Sequence, residues 1–277
     1  MRGRTCPAGC RASSWRASRL PARDLALLSE AARAAGPVAL RYWKNAPRAW
    51  EKDGNAGPVT EADLAVNEAL EQRLRSARPG YGWLSEESAD SGERQGAERV
   101  FIVDPIDGTR AFMAGEDTFA VSLAVACAGR IVAAAVYLPA LDRLYTAGES
   151  APALRDGQPI AASRRSESEG ATLLATRHTL GESHWPGGVP DVKRSFRASL
   201  AFRLCLVAEG RHDGMLMLRQ AWEWDIAAGS LIAARAGAAV SDRFGQPLTF
   251  NGSPPQTPGV IAAAPGVHAD LLRRLMP

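Results

Sequence analysis

The chain has little of what marks a membrane protein, a disulfide scaffold or a zinc protein. Although 46% of its 277 residues are hydrophobic, no apolar run approaches the roughly 18 residues that a membrane-spanning helix needs. Its four cysteines, Cys6, Cys10, Cys127 and Cys205, form no C-x-x-C pair, so neither a disulfide framework nor a zinc site follows. Cys127 and Cys205 stand in apolar segments, where a small buried hydrophobe is the usual role, and a reducing cytoplasm is the expected location. Only four histidines are present, His178, His184, His212 and His268, all in loops or at helix ends, where they read as surface residues. Acidic residues are missing from residues 1–23, which carry Arg2, Arg4, Arg11, Arg16, Arg19 and Arg23. That head lacks the apolar core of a secretory signal and reads as a disordered basic extension. Without its arginines the net charge of +3 turns slightly acidic, which argues against the broad basic surface that a nucleic-acid polymer needs.

From residue 24 onward the pattern is that of a folded chain. Leu25, Leu28, Ala32, Ala35, Ala39, Leu40 and Trp43 define an amphipathic helix over 24–45, with a kink expected at Gly36-Pro37. A Gly/Asn/Pro-rich loop over 52–58 precedes Thr60, an N-cap with Asp63 three residues on, and a helix to about Arg75. Strands are expected at 81–84 and 100–103, separated by a polar loop over 89–98. Apolar runs at 118–126, 131–138 and 143–146 suggest an antiparallel meander. The turn-rich stretch 151–170 is the expected boundary between an N-terminal α+β half (24–150) and a C-terminal α/β half (151–277). In the second half, strands at 173–176, 214–218, 239–241 and 259–263 alternate with helices at 199–209, 225–236 and 267–275. That alternation is the signature of a layered α/β (α+β) fold.

The chemistry concentrates in Val103-Asp104-Pro105-Ile106-Asp107-Gly108-Thr109. A buried strand would deliver its carboxylates to its end, where Pro105 stops the ladder and Gly108 lets the backbone turn. Hard divalent cations want such oxygen ligands together with phosphate oxygens, and Thr109 adds a hydroxyl beside backbone N–H groups that could face an anion. An ordinary Asp/Pro/Gly turn would look similar, so the other carboxylates decide. Glu86 and Glu87 follow a strand directly, and Asp63 opens a helix, where an acid is also favourable for structural reasons. Asp225 opens a helix rich in small residues, Ala227, Ala228 and Gly229, beside Trp224. Capping explains an acid there, but not the tryptophan together with small residues that permit close packing.

Four ordered motifs, Pro58-Val-Thr-Glu-Ala-Asp63, Ser85-Glu-Glu-Ser88, Val103-Asp-Pro-Ile-Asp-Gly-Thr109 and Trp224-Asp-Ile-Ala-Ala-Gly229, resemble those of the inositol monophosphatase family over about residues 24–275. The resemblance implies a five-layered αβαβα sandwich of the inositol monophosphatase/fructose-bisphosphatase type, usually a homodimer, with a lithium-sensitive, Mg²⁺-dependent phosphatase site between the halves. By matching motif positions it implies that Glu86, Asp104, the Ile106 carbonyl, Asp107 and Asp225 hold metal, with Asp63 in the outer coordination shell. Glu86 and Thr109 would orient the attacking water, and Gly108 and Thr109 would hold the phosphate. The residue types support the same chemistry: gathered carboxylates bind two or three Mg²⁺ ions, which acidify a water for in-line attack on a phosphorus.

The resemblance also ranks substrates. True inositol monophosphatases carry an acid seven positions before the Trp-Asp aspartate to bond inositol hydroxyls; here that position is Leu218. The segments 199–210, Glu223-Trp224-Asp225 and Asp107-Gly-Thr-Arg-Ala-Phe112 look more like bacterial 3'(2'),5'-bisphosphate nucleotidases, which remove the 3'-phosphate of adenosine 3',5'-bisphosphate. Those enzymes usually show Gly-Ser-Ser and a nearby Lys where this chain has Arg197-Ala198-Ser199. Ser199 and Arg203, or Arg197, are therefore the expected substrate contacts. Gly108-Thr-Arg-Ala-Phe112 also resembles the histidinol-phosphatase branch, and some members of the family act mainly through partner binding. The expected partner is a small phosphorylated metabolite.

Overall fold

The computed structural model describes residues 20–52 and 57–276. The expected disordered extension lies, for residues 1–19, outside the described residues. Residues 20–23 are helical: α1 (Leu20–Tyr42) starts before Asp24 and runs on through Pro37. Gly36 is required there because a Cβ would sit 2.6 Å from the Tyr137 ring, which packs against the helix. Of the expected loop 52–58, residues 53–56 lie outside the described residues and Pro58 belongs to a strand: β1 (Ala49–Glu51) and β2 (Pro58–Thr60) pair antiparallel. Thr60 caps α2 (Glu61–Ala77) with both bonds of a capping box.

A seven-stranded sheet follows in order β3-β4-β5-β6-β7-β8-β9. Its members are β3 (Gly82–Ser85), β4 (Arg99–Asp107), β5 (Ala120–Cys127), β6 (Arg130–Leu138), β7 (Arg143–Gly148), β8 (Ala151–Arg155) and β9 (Gln158–Pro159). β3 and β4 are parallel, and the rest is the expected meander, antiparallel throughout. The polar loop before β4 holds a 3-10 turn whose Arg94 is buried against Asp90, Asn251 and Gly252. Of the turn-rich stretch 151–170, residues 151–155 and 158–159 form β8 and β9, which extend this sheet. Short α3 (Thr109–Met113) leaves β4.

The second sheet has order β11-β10-β12-β16-β14. It is built from β10 (Thr172–Leu174), β11 (Lys193–Ser195), β12 (Gly214–Met217), β14 (Ala239–Ser241) and β16 (Val260–Ala263). A small pair, β13 (Ala221–Trp222) with β15 (Gln256–Thr257), stands beside it. The helices of this half are α4 (Leu200–Ala208), α5 (Glu223–Arg235) and α6 (Pro265–Leu275).

The side-chain alternation of the strands makes the layers. On β4, Phe101 and Val103 join the α1/α2 core, while Val100 and Ile102 join the core of α4 and α5. On β12, Met215 and Met217 face α4/α5, while Leu216 joins Val267 and Leu271 of α6. The order is thus helices, seven-stranded sheet, helices, five-stranded sheet, helix, the five-layered sandwich expected. Both faces of each sheet are covered, which is why β4 is buried at every position. In the middle layer, a Cβ on Gly229 would lie 2.6 Å from the Leu204 Cβ, so the small-residue face of α5 is what lets α4 pack so closely. Of the four histidines only His178 is exposed; His184, His212 and His268 are half-buried, the last two bonded to Ser195 and Ser241.

Candidate active site

The site lies where β3 and β4 end and α5 begins. A turn after β3 presents Glu86 and Glu87, and a polar network fixes it: Ser85 Oγ donates to Asn67 (2.7 Å), while Asn67 and Trp83 donate to Ser88 Oγ. β4 carries Asp104 and Asp107, with a register shift between them where Pro105 interrupts pairing. α5 supplies Asp225 in its first turn, where the helix macrodipole favours an acid.

Carboxylate oxygens of Glu86, Asp104 and Asp225 lie within 4.8 Å of one another. Asp104 Oδ1 accepts from the Ile106 N–H (3.0 Å), but its Oδ2 is buried with no partner. Burial first, then the charges of Glu86, Asp107, Asp225 and Asp63, hold the Asp104 carboxyl well above the ordinary carboxylate range. Asp225 is raised in the same way by burial and by Asp107 and Glu86, with Arg219 pulling against them. A buried orphan oxygen among like charges is a site that demands a cation, and an all-oxygen set suits a hard divalent ion. Lys52 Nζ supplies one positive charge, 2.8 Å from Glu86 and 2.6 Å from Glu87. Burial would lower that ammonium, yet the two carboxylates leave it above the usual lysine value.

The fold brings Asp63 and Thr109 together. Asp63 Oδ2 accepts from the Thr60 N–H and hydroxyl (2.8 and 2.5 Å), while its Oδ1 lies 3.3 Å from Thr109 Oγ1. Thr109 Oγ1 also lies 3.2 Å from the Ile106 carbonyl. Burial lifts Asp63 to about 6 against the hydrogen bonds from Thr60. Gly108 has φ 96°, and a Cβ there would press on Ser199 at 3.3 Å, so glycine is needed twice over.

Asp107 is placed differently from Asp104. It accepts from Ser199 Oγ (2.5 Å) and from the N–H groups of Leu200 and Ala201 (3.2 and 2.6 Å), docking β4 onto the start of α4. Burial nonetheless raises it to about 6. Ser199, an expected substrate contact, spends its hydroxyl on Asp107 and on capping α4. Arg203 is buried; it donates to the Arg197 and Ala198 carbonyls and stacks at 4.3 Å from the Phe196 ring. Desolvation lowers it to about 10.

A cavity of about 1270 Å³ opens over these residues and extends across the end of the second sheet, where it meets His178, Arg197, Arg219 and Arg243. Of these four, the motifs pointed only to Arg197. No local sequence signal marks the others, because they share only a position at the ends of strands distant in sequence.

Fold and site together define the class: an α/β sandwich with a cation-demanding carboxylate centre at the edge of a deep cleft. The family model described as "Inositol monophosphatase family" matches residues 22–276, and the chain belongs to that family. It is 34% identical over 209 residues to an inositol-1-monophosphatase of Mesorhizobium japonicum, covering 70% of this chain and 76% of that one. It is 32% identical over 233 residues to the 3'(2'),5'-bisphosphate nucleotidase CysQ of Escherichia coli O157:H7, covering 79% and 90%. The crystal structure of the extragenic suppressor protein SuhB from Bartonella henselae superposes with a TM-score of 0.78 at 28% identity, covering 92% of this chain and 98% of that one. Among the described residues, no helix is long and apolar enough to cross a membrane.

Proposed function

We propose that the chain is a Mg²⁺-dependent phosphomonoesterase that removes the 3'-phosphate of adenosine 3',5'-bisphosphate. The observation that carries the enzymatic reading is the convergence of the Glu86, Asp104 and Asp225 carboxylates, together with the buried, unpartnered Asp104 Oδ2. These three, with the Ile106 carbonyl, would hold the metal; Asp107 Oδ1 has one hydrogen bond and keeps a lone pair for the same purpose. Bound there, Mg²⁺ would polarise phosphate oxygens and make a coordinated water more acidic. Glu86 and Thr109 would orient the attacking water. With its proton toward Asp63, the Thr109 hydroxyl keeps lone pairs to accept from that water, and Asp63, raised to about 6, is suited to a proton-sharing role. Gly108 and Thr109 would hold the phosphate.

The substrate reading is supported by Leu218, whose side chain is buried in the α6 core and offers inositol hydroxyls nothing. It also draws on the likeness to CysQ. The equally close inositol-1-monophosphatase relative supports inositol 1-phosphate as the second reading; histidinol phosphate follows from the Gly108–Phe112 segment.

The test is Mg²⁺-dependent phosphate release from adenosine 3',5'-bisphosphate, inositol 1-phosphate, fructose 1,6-bisphosphate and histidinol phosphate, with wild type and Asp104→Asn. Preference for the bisphosphonucleotide, lost in the variant, supports the reading. Preference for another ester keeps the phosphatase and overturns the substrate. Release from none of them overturns both.

A further inference from the structure

The second sheet brings four strand ends to one edge. β10, β11 and β12 run parallel, and β16 is antiparallel to both β12 and β14, so β14 points the same way as the other three. In open α/β sheets, ligands bind outside the carboxyl ends of the strands. Here the chain places an arginine just beyond three of these ends, Arg197 after β11, Arg219 after β12 and Arg243 after β14, and His178 beyond β10. The three arginines stand two residues past their strands, at positions that share the sheet edge and nothing else.

All four line the same cavity as the carboxylate centre. Arg243 Nη1 donates to the Leu218 carbonyl (2.9 Å), which holds its guanidinium beside the strand end that carries Arg219. Arg197 Nη1 donates to the carbonyl of Phe196 (2.6 Å). Among the described residues, none of these three arginines forms an ion pair with a carboxylate. The wall's acidic residues outside the carboxylate centre, Glu116 and Asp117, come from the loop before β5, on the first sheet's side. Arg203 also lines the cavity, but it is buried and committed to backbone carbonyls.

We propose that Arg219 and Arg243, with Arg197, form a second anion subsite that binds a phosphate the enzyme does not hydrolyse, making the preferred substrates bisphosphorylated. Unpaired guanidiniums converging on one cleft match the bidentate geometry of phosphate oxygens. This inference rests on the phosphatase reading and adds specificity residues to it. The second phosphate could sit on a nucleoside or on a sugar, and the subsite recognises the group both share.

The test compares kcat/KM for adenosine 3',5'-bisphosphate against adenosine 3'-phosphate, and for fructose 1,6-bisphosphate against fructose 1-phosphate, in wild type, Arg219→Gln, Arg243→Gln and the double variant. Wild type should favour the bisphosphate of at least one pair. The bis-to-mono ratio should fall on the order of tenfold for each arginine removed, mostly through KM, the size expected of a hydrogen bond to a charged group. Arg243→Lys should restore part of it, and Arg130→Gln on the far edge should leave the ratio alone. The pair that responds identifies the source of the second phosphate. An unchanged ratio, or an equal loss for both members of each pair, overturns the proposal. Calorimetric binding of adenosine 5'-phosphate and of fructose 6-phosphate provides a readout without turnover. If no phosphate is released from any ester, the phosphatase reading fails; weaker binding of either probe to the double variant still supports the subsite, and equal binding overturns it.

Discussion

Asp104→Asn separates stability from function. Asp104 is buried, its Oδ1 is satisfied by the Ile106 N–H, its Oδ2 has no hydrogen-bond partner, and its carboxylate clusters with those of Glu86 and Asp225. Asparagine has the same shape: its oxygen can keep the Ile106 bond, and its NH₂ replaces a repelling oxygen with two donors aimed at carboxylates. In chelator at about pH 7.5 the variant should be more stable than wild type by about 1–3 kcal/mol, the scale of an unsatisfied buried polar group repaired. For a chain this long that is a rise in Tm of about 3–10 °C. Excess Mg²⁺ should reverse the order of benefit. Wild type gains about 2.7 kcal/mol at a hundredfold excess over Kd, while the variant, having lost an anionic ligand, gains little. Phosphate release should fall by at least about a hundredfold. Thermal melts of both proteins with chelator and with Mg²⁺, beside one activity assay, measure all of this. A variant less stable than wild type in chelator, or one as responsive to Mg²⁺, would refute the reasoning that Asp104 is a charge waiting for a cation.

Three further outcomes follow from the packing and the charges. Burial lifts Asp63 and Asp107 from 3.8 to about 6, so between those values the folded chain holds protons that the unfolded chain has released. The stability of the metal-free protein should therefore fall as pH rises from about 4 to 6, by at most ~3 kcal/mol per group. Urea midpoints in chelator check it, and a midpoint that climbs across that window contradicts it. Gly229→Val forces methyl groups against Leu204 and should cost about 1–3 kcal/mol or more, with Gly229→Ala intermediate; unchanged melts would show that α4 can move away. Asp24 is fully buried beneath Arg78, Arg99 and Tyr81. Asp24→Ala should cost about 3–5 kcal/mol by stranding Arg99, and a loss below about 1 kcal/mol would mean that water or a local shift rescues the arginine.

Much of the fold was written in local pattern. Period-3.6 apolar spacing marked α1, the Thr60/Asp63 box marked the start of α2, and continuous apolar runs marked β4 to β7. Short pairings were not legible: β1, β9, β11, β13 and β15 have two or three residues and no apolar run, and β8 lies in a stretch that reads as turns, so their partners alone make them strands. The carboxylate centre was legible because its members are short motifs, each at a strand or helix end. Where each carboxylate points was not: Asp104 and Asp107 are three apart, yet one is left facing other acids and the other is bound by the start of α4. Nor could the sequence pair Thr109 with Asp63, or spend Ser199 on a cap rather than a ligand.

What the sequence determined by itself, then, is which residues carry charge, which faces are apolar and where helices are capped, since these depend on neighbours within a turn or two. Only the tertiary structure decided which charges meet. Arg197, Arg219 and Arg243 lie far apart along the chain, and they share a cleft because four strands point the same way across one sheet. That direction is set by layer packing between the two sheets, a cooperative property of the whole core that no window of sequence contains.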